Sequence, residues 1–350
     1  MNAIERLPKA AIDSTAAAIK SMTLRLADAA PLYAALGAPV ADDPELLAMA
    51  AQGLAFLPGA QLFTAVHYLL LRDPRDPLAQ YYADLTDTPK PPGEAFPDFV
   101  RFCRQHREEI LHLVRTRTVQ ATFVDRCNTI MTLLSHVADR AGEPLDLIEI
   151  GCSAGLLLTF DKYAYEPKGQ RSLGSKNAPL TLNFEFRGGP ALHIPKIGKR
   201  IGLDLRPVDA KSKDERLWLL AQLPPEARAW ASRLTTALDV VAQTDITFFE
   251  GDALDILPDL IAKSPGPLCV YHANCVCYWS PEAKAALDKL LLTASRGREF
   301  FRVEMEPEFQ KMQRSDSTIE LVLGHYRNGT VDRKNIANTT AEGSVVTWLV

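Results

Sequence analysis

Up to about residue 140, apolar positions recur at helical spacing; beyond it they gather in short runs separated by turns. In the first part, alanine-rich segments (Ala16-Ala17-Ala18, Ala34-Ala35, Leu47 to Ala51) are punctuated by Pro31, Pro39, Pro44 and Pro58, where helices are expected to start or stop. Ala65 to Leu71 reads as a core helix, in which His67 is either a satisfied core histidine or a ligand. A proline-rich loop over residues 87–97 suits a linker or a lid. Two further helices, about Phe96 to Thr116 and about Val119 to Arg140, carry an apolar stripe through Phe102, Ile110, Leu113, Phe123, Ile130, Leu133 and Leu134.

The second part opens on Leu145 to Ile150, a run suited to a strand buried on both faces, then bends at Gly151-Cys152-Ser153-Ala154-Gly155 into a helix starting at Leu156. Alternation from Leu180 to Phe186, then Gly188-Gly189 and Ala191 to Ile194, predicts a β-hairpin at about 178–196. Lys199 to Asp204 is a strand ending in a carboxylate. A helical stretch from Asp214 to Val241 breaks at Pro224-Pro225. Ile246 to Ala253 is a strand ending in Gly-Asp, Leu268 to His272 a fourth strand, and Glu299 to Glu304 a fifth. Ser280-Pro281-Glu282 starts a helix between the last two. Ile319 to Tyr326 and Ser344 to Leu349 are expected to close the sheet as an antiparallel pair.

Composition narrows the function. At 350 residues and 47% hydrophobic content the chain can bury a large core, and a formal charge of −4 forecasts neither nucleic-acid nor acidic-membrane binding. Its six cysteines (Cys103, Cys127, Cys152, Cys269, Cys275, Cys277) form no C-x-x-C pair, which favours reduced, buried thiols over disulfides or zinc. Met1 to Lys20 has no continuous apolar core, and no run reaches the ~18 apolar residues of a membrane span. A cytoplasmic location is therefore expected. No pattern supports a metal site.

Three chemistries compete for the bend, beside a turn that needs its glycines for packing alone. The dinucleotide pattern G-x-G-x-x-G fails at Ser153 and Leu156. Gly151-x-Ser153-x-Gly155 matches the nucleophile elbow of α/β-hydrolases. Glu149-x-Gly151-x-x-x-Gly155 matches the loop of S-adenosylmethionine (SAM) methyltransferases. Gly151 would let the backbone approach a ligand, Gly155 would let helix and strand pack closely, and the opening amides of the helix would receive an electron-rich group.

Element order favours the third reading. A hydrolase elbow follows several strands and an oxyanion loop, whereas Ser153 follows the first strand and no HGGG-like loop occurs. Ser153, Asp252 and His325 meet the order of a triad only loosely. A nucleotide at the carboxyl ends of parallel strands wants an acid on the second strand for its ribose, where Asp204 stands. Asp252 with Ala253 suits an adenine amino group, or Asp252 simply caps the next helix. Methyl transfer is a displacement governed by positioning, so a strong base is optional. Where one is needed, His272 is the candidate, with Asn274 and Tyr278 orienting it; a structural strand-end histidine is the alternative. Tyr271-His272-Ala273-Asn274 is not Asp/Asn-Pro-Pro-Tyr, which disfavours methylation of nucleic-acid bases. Arg126 suits the methionyl carboxylate, and Glu149 its ammonium or the turn amides. Cys152 and Cys275 read as small apolar fillers.

Segments along nearly the whole chain resemble a bacterial family, domain of unknown function 2332. They are Pro31-Leu32-Tyr33, Ala38-Pro39, Ala65 to Leu71, Phe102 to Arg107, Glu149 to Gly155 and Gly202 to Pro207. The resemblance implies a helical N-terminal region followed by a SAM-methyltransferase-like domain, and supplies no substrate. The chain departs from the family pattern at Val119 to Arg126, which keeps Gln120 and Arg126 but has Thr122 and Phe123 where Asn and Glu are usual. It departs again at Tyr271 to Tyr278, with Cys275 and Cys277.

The expectation is an α/β protein with a helical cap at 1–140 and, at 141–350, a Rossmann-like seven-stranded SAM-methyltransferase sheet. SAM would be held by Arg126, Glu149, Gly151, Cys152, Ser153, Gly155, Asp204, Asp252 and Ala253, and a small-molecule acceptor would lie between cap and sheet. The competing class is a fold relative without catalysis that binds a nucleotide or a partner.

Overall fold

The computed structural model describes residues 7–53, 59–120, 123–307 and 318–350. Met1 to Arg6, Pro58, Ala121 and Thr122, which carry parts of the sequence reading, lie outside the described residues. The chain divides into two compact units, residues 1–121 with 212–235 and residues 122–211 with 236–350. The sequence reading put the boundary near 140. Helix α7 (Cys127–Ala141) falls in the sheet unit: it packs on strands and buries Ile130, Leu133 and Leu134.

The helical unit contains α1 (Lys9–Arg25), α2 (Pro31–Asp42), α3 (Pro44–Ala50), α4 (Ala60–Arg72), α5 (Phe96–Gln105), α6 (Arg107–Thr116) and α8 (Lys213–Ala221). Pro31 and Pro44 open their helices, the latter behind Asp43, whose carboxylate accepts from the amides of Glu45 and Leu46 at 2.9 and 3.0 Å. Pro39 does not end a helix: it lies inside α2, near its C-terminal end. The single helix expected from Phe96 to Thr116 breaks at His106, and Arg104 before the break and Glu108 and Glu109 after it suit the opposed helix ends. His67 is a core histidine, buried between Asp84 at 2.8 Å and the carbonyl of Ala221 at 3.1 Å.

Among the described residues, the other unit is built on one mixed ten-stranded sheet, so the chain is an α/β protein with more strands than the seven expected. Its strands are β1 (Leu145–Ile150), β2 (Ala164–Lys168), β3 (Thr181–Arg187), β4 (Ile197–Asp204), β5 (Thr247–Glu250), β6 (Leu268–Ala273), β7 (Phe300–Met305), β8 (Ile319–Arg327), β9 (Thr330–Thr339) and β10 (Val345–Trp348). They lie in the order β2-β3-β10-β9-β8-β7-β6-β1-β4-β5. From β5 to β7 every pair is parallel, while β8 is antiparallel to both β7 and β9. From β1 the chain passes through β2 and β3 at the far edge of the sheet, then fills β4 and β5 on one side of β1 and returns to β6 on the other, so a switch point opens between β1 and β6. Helices α10 (Ala253–Lys263) and α11 (Pro281–Ala294) share a core with one face of this parallel part, through Ile148, Ile150, Val270, Leu257, Ile261, Leu287 and Leu291. Helix α9 (Arg228–Gln243) precedes β5.

Three local expectations are corrected. The hairpin at 178–196 is a single strand, β3, paired in parallel with β2 and β10. Its second arm is drawn away from the sheet because Ser135 of α7 accepts the amide of His193 at 3.0 Å. The closing pair is separated by β9, which joins β8 to β10 and whose polar, exposed residues hide it from a hydrophobic pattern. The helix after the bend is a seven-residue 3₁₀ segment, Leu156–Lys162, too short for the helix-dipole site expected there.

Candidate functional site

Strand β1 delivers the bend to the switch point. The amides of Gly151 and Cys152 both donate to the carbonyl of Leu203 at the end of β4, at 2.7 and 3.1 Å. Gly151 turns with φ +73°, and a side-chain carbon there would stand 2.2 Å from Cys275 Sγ, so only glycine fits. Ser153 and Asn274 also have positive φ, +50° and +52°. Both are L-residues in the left-handed region, at the ends of the two strands that flank the switch point.

Asp204 closes this corner. Its Oδ2 accepts the amide of Ser153 at 2.8 Å and its Oδ1 the amide of Arg206 at 2.9 Å. Burial raises its pKa above the ordinary carboxylate range, against the pull of those two amides. A cavity of about 300 Å³ lies alongside, lined by Gly151, Leu203, Asp204, Leu205, Gly251, Asp252, Ala253, Leu254, Cys275 and Trp279 among others. A larger cavity of about 650 Å³ lies at the amino ends of β4 and β5, among Lys162, Lys199, Arg200 and Thr244, away from the bend.

Of the residues singled out by sequence, Gly151, Asp204, Asp252 and Ala253 meet around the smaller cavity. Asp252 accepts the amide of Leu254 at 2.8 Å and caps α10 while also facing the cavity. Cys152 and Ser153 are buried in the bend, with Cys152 Sγ closing on Gly202, and Gly155 turns against Phe248 as it leads into the 3₁₀ segment. Glu149 is buried and takes the Tyr271 hydroxyl at 3.2 Å. Burial drives its pKa well above the ordinary range, a rise that the Tyr271 bond opposes and the charge of Asp204 assists.

The remaining predicted residues lie around the loop that follows β6. His272 is fully buried, and neither ring nitrogen faces the cavity: Nε2 receives Arg302 Nε at 3.1 Å and Nδ1 meets Glu306 Oε1 at 2.6 Å. Asn274 donates its amide to the carbonyl of Met305 at 2.9 Å, and its buried Oδ1 has no hydrogen-bond partner among the described residues. Tyr278 is partly exposed, and burial raises its hydroxyl pKa. Arg126 is buried, donates from Nε to the carbonyl of Ala341 at 3.0 Å, and stacks its guanidinium over Phe123. Burial lowers its pKa, opposed by Tyr278, Glu306, Cys277 and Glu342.

Sequence reasoning passed over Glu306, which accepts from His272 and from the amides of Cys275, Val276 and Cys277 at 2.6 to 3.2 Å. Burial works to raise its pKa, but the histidine and the amides outweigh it and hold the carboxyl low. The signal was present: an acid just past the fifth strand, before Pro307, repeats the placement of Asp204. Leu205, exposed at 75%, and Trp279 were passed over as well.

The triad of the hydrolase reading is not assembled. His325 pairs with Phe301 near the start of β7, stacks on its ring at 4.4 Å and bonds Glu299, whereas Ser153 lies past the far end of β1. Among the described residues no cluster of three or more metal-ligating side chains occurs, and no helix is long and apolar enough to cross a membrane.

No curated protein matches the sequence. Residues 19–348 match the model of the family described as "Uncharacterized protein conserved in bacteria (DUF2332)". That match spans nearly the whole chain and agrees with the resemblance read from its segments, so the chain belongs to the DUF2332 family of bacteria.

Proposed function

We propose that the crevice at the carboxyl ends of β1, β4 and β5 binds the nucleoside of SAM, and that the protein transfers its methyl group to a small-molecule acceptor. The observation that carries this reading is the pairing of Asp204 with the Ser153 amide across the ends of β4 and β1, next to the switch point and beside a cavity of about 300 Å³. That volume is at the small end of ligand sites. The five strands from β5 to β7 have the order of a doubly wound nucleotide fold, third-second-first-fourth-fifth, which supports a Rossmann-like core within the larger sheet.

The residues present suit such a ligand. The carboxylate of Asp204 accepts the amides of Ser153 and Arg206 and borders the cavity, where acceptor oxygens suit ribose hydroxyls. Leu205 and Trp279 offer apolar surface for a base. Bound SAM supplies an activated methyl group on a sulfonium; the protein's part is to orient it and exclude water. His272, with both nitrogens engaged, holds a proton at Nδ1 against Glu306 and has no lone pair toward the cavity. That engagement favours an acceptor needing no base from His272, and it equally favours the second reading, a relative that binds the nucleoside without transferring a methyl group.

Calorimetry with SAM, S-adenosylhomocysteine (SAH) and NAD tests the proposal, together with mass spectrometry of any copurified ligand. Saturable binding of SAM or SAH, with none for NAD, is expected. Failure to bind either would overturn it.

A further inference from the structure

A line of charge runs beneath the loop that walls the crevice. Arg302 and Glu304 on β7 and His272 on β6 lie on the sheet face that Phe300 and Val270 share with α11, and all three are buried. Arg333 of β9 grips both oxygens of Glu304 at 2.8 Å. Glu304 lies 3.3 Å from Arg302 Nη2, while Arg302 Nη1 donates to Asp288 of α11 at 2.6 Å and to Tyr326 Oη at 3.3 Å. Arg302 Nε reaches His272, which reaches Glu306, which holds the amides of Cys275, Val276 and Cys277.

The line has a direction. A guanidinium only donates, so Arg302 fixes the lone pair of His272 on Nε2 and leaves the ring proton on Nδ1, facing Glu306. Each charge along it meets an opposite charge or a polar group, yet an apolar strip would join β6 to β7 at no desolvation cost. The line ends on a loop whose Cys275 touches the bend and whose Trp279 lines the cavity.

We propose that Arg302, His272 and Glu306 are positioning residues for the crevice. Together they fix the Cys275–Trp279 wall, and the outer end of the line at Arg333 tunes ligand affinity without touching the ligand. The proposal rests on the nucleoside reading for its ligand, and on the ring and loop geometry for everything else. His272 acts through Glu306 and takes no proton from an acceptor.

The test uses the full-length protein and its Arg302→Lys, Glu306→Gln and Arg333→Met variants. Amide exchange at residues 275–277 and the nitrogen resonances of His272 are read without ligand, and SAH affinity by calorimetry. Lysine keeps one charge but cannot serve His272 and Asp288 together. Arg302→Lys is therefore expected to speed exchange at 275–277, shift His272 from its single tautomer and weaken SAH binding by about tenfold. Arg333→Met should do the same in milder form, by about threefold. Should Glu306→Gln fail to fold, the two arginine variants decide. Wild-type exchange at 275–277 and an unshifted His272 tautomer in Arg302→Lys would overturn the proposal, even with a lowered melting temperature. A wild-type protein that binds no SAH would defeat the nucleoside reading instead, leaving the ligand-free measurements to judge the line.

Discussion

The amide of Ser153 donates to Asp204 Oδ2 across 2.8 Å, joining two residues 51 positions apart at the ends of neighbouring strands. The bond ties the left-handed serine of the bend to the acid that closes β4. It holds one carboxylate oxygen in place beside the cavity before any ligand arrives. Such preorganisation lowers the cost of ordering on binding.

Replacing Asp204 with alanine should remove both the ribose partner and the acceptor of the Ser153 and Arg206 amides. Hydrogen bonds to a charged group contribute about 1.5–3 kcal/mol, so SAH affinity should fall by about 10- to 100-fold. Asp204→Asn keeps an acceptor of similar shape and should lose less. Calorimetric titration of both variants against wild type checks the order.

Gly151→Ala adds a carbon 2.2 Å from Cys275 Sγ at a residue with φ +73°. The left-handed conformation alone costs a non-glycine residue about 1–2 kcal/mol, and overpacking adds to it. Cys275→Ala would leave Cβ 2.5 Å from the added carbon, so the second change is Cys275→Gly, which should restore the part owed to the clash and none of the part owed to the Gly151 backbone. Gly151→Val should abolish ligand binding altogether. Denaturant midpoints of the single and double variants measure the split.

The bend and Asp204 were legible because a continuous apolar run ending in glycine, and a strand ending in an acid, need no distant information to be recognised. Strand β2 was hidden by Pro167, which argues against a strand; β2 lies at the edge of the sheet, where proline is tolerated. The loop at 191–194 was misread because what removes it from the sheet is Ser135, 58 residues earlier, and no local pattern encodes that bond. His272 shows the same limit. Its place at the end of a strand was readable, but its engagement on both sides by Arg302 and Glu306, 30 and 34 residues later, was not.

Ser153→Ala separates the crevice from a hydrolase site. The bend uses the Ser153 amide and carbonyl, the latter accepting from Val208 at 3.1 Å, and both survive the change. SAH affinity should stay within about threefold of wild type, below the cost of one hydrogen bond. Ser153→Gly should be neutral or slightly stabilising, since φ +50° suits glycine better. Neither wild type nor variant should hydrolyse p-nitrophenyl esters above background; loss of such activity in Ser153→Ala would revive the esterase reading.

Glu149 makes a prediction of opposite sign to that for most buried acids. Its pKa is raised in the folded protein, chiefly by burial, so the folded state keeps a proton that the unfolded chain releases near pH 4.3. With more protons bound in the folded state, stability falls as pH rises from about 4 toward the raised value, and the full cost is present above it. Glu149→Gln removes the ionisable group while keeping an oxygen to accept from Tyr271. The variant should match wild type near pH 4 and melt a few degrees higher near pH 7.5. Thermal melts of the ligand-free proteins across that range test it. A variant less stable than wild type at neutral pH would mean that Glu149 is charged in the fold and matched by a partner other than Tyr271.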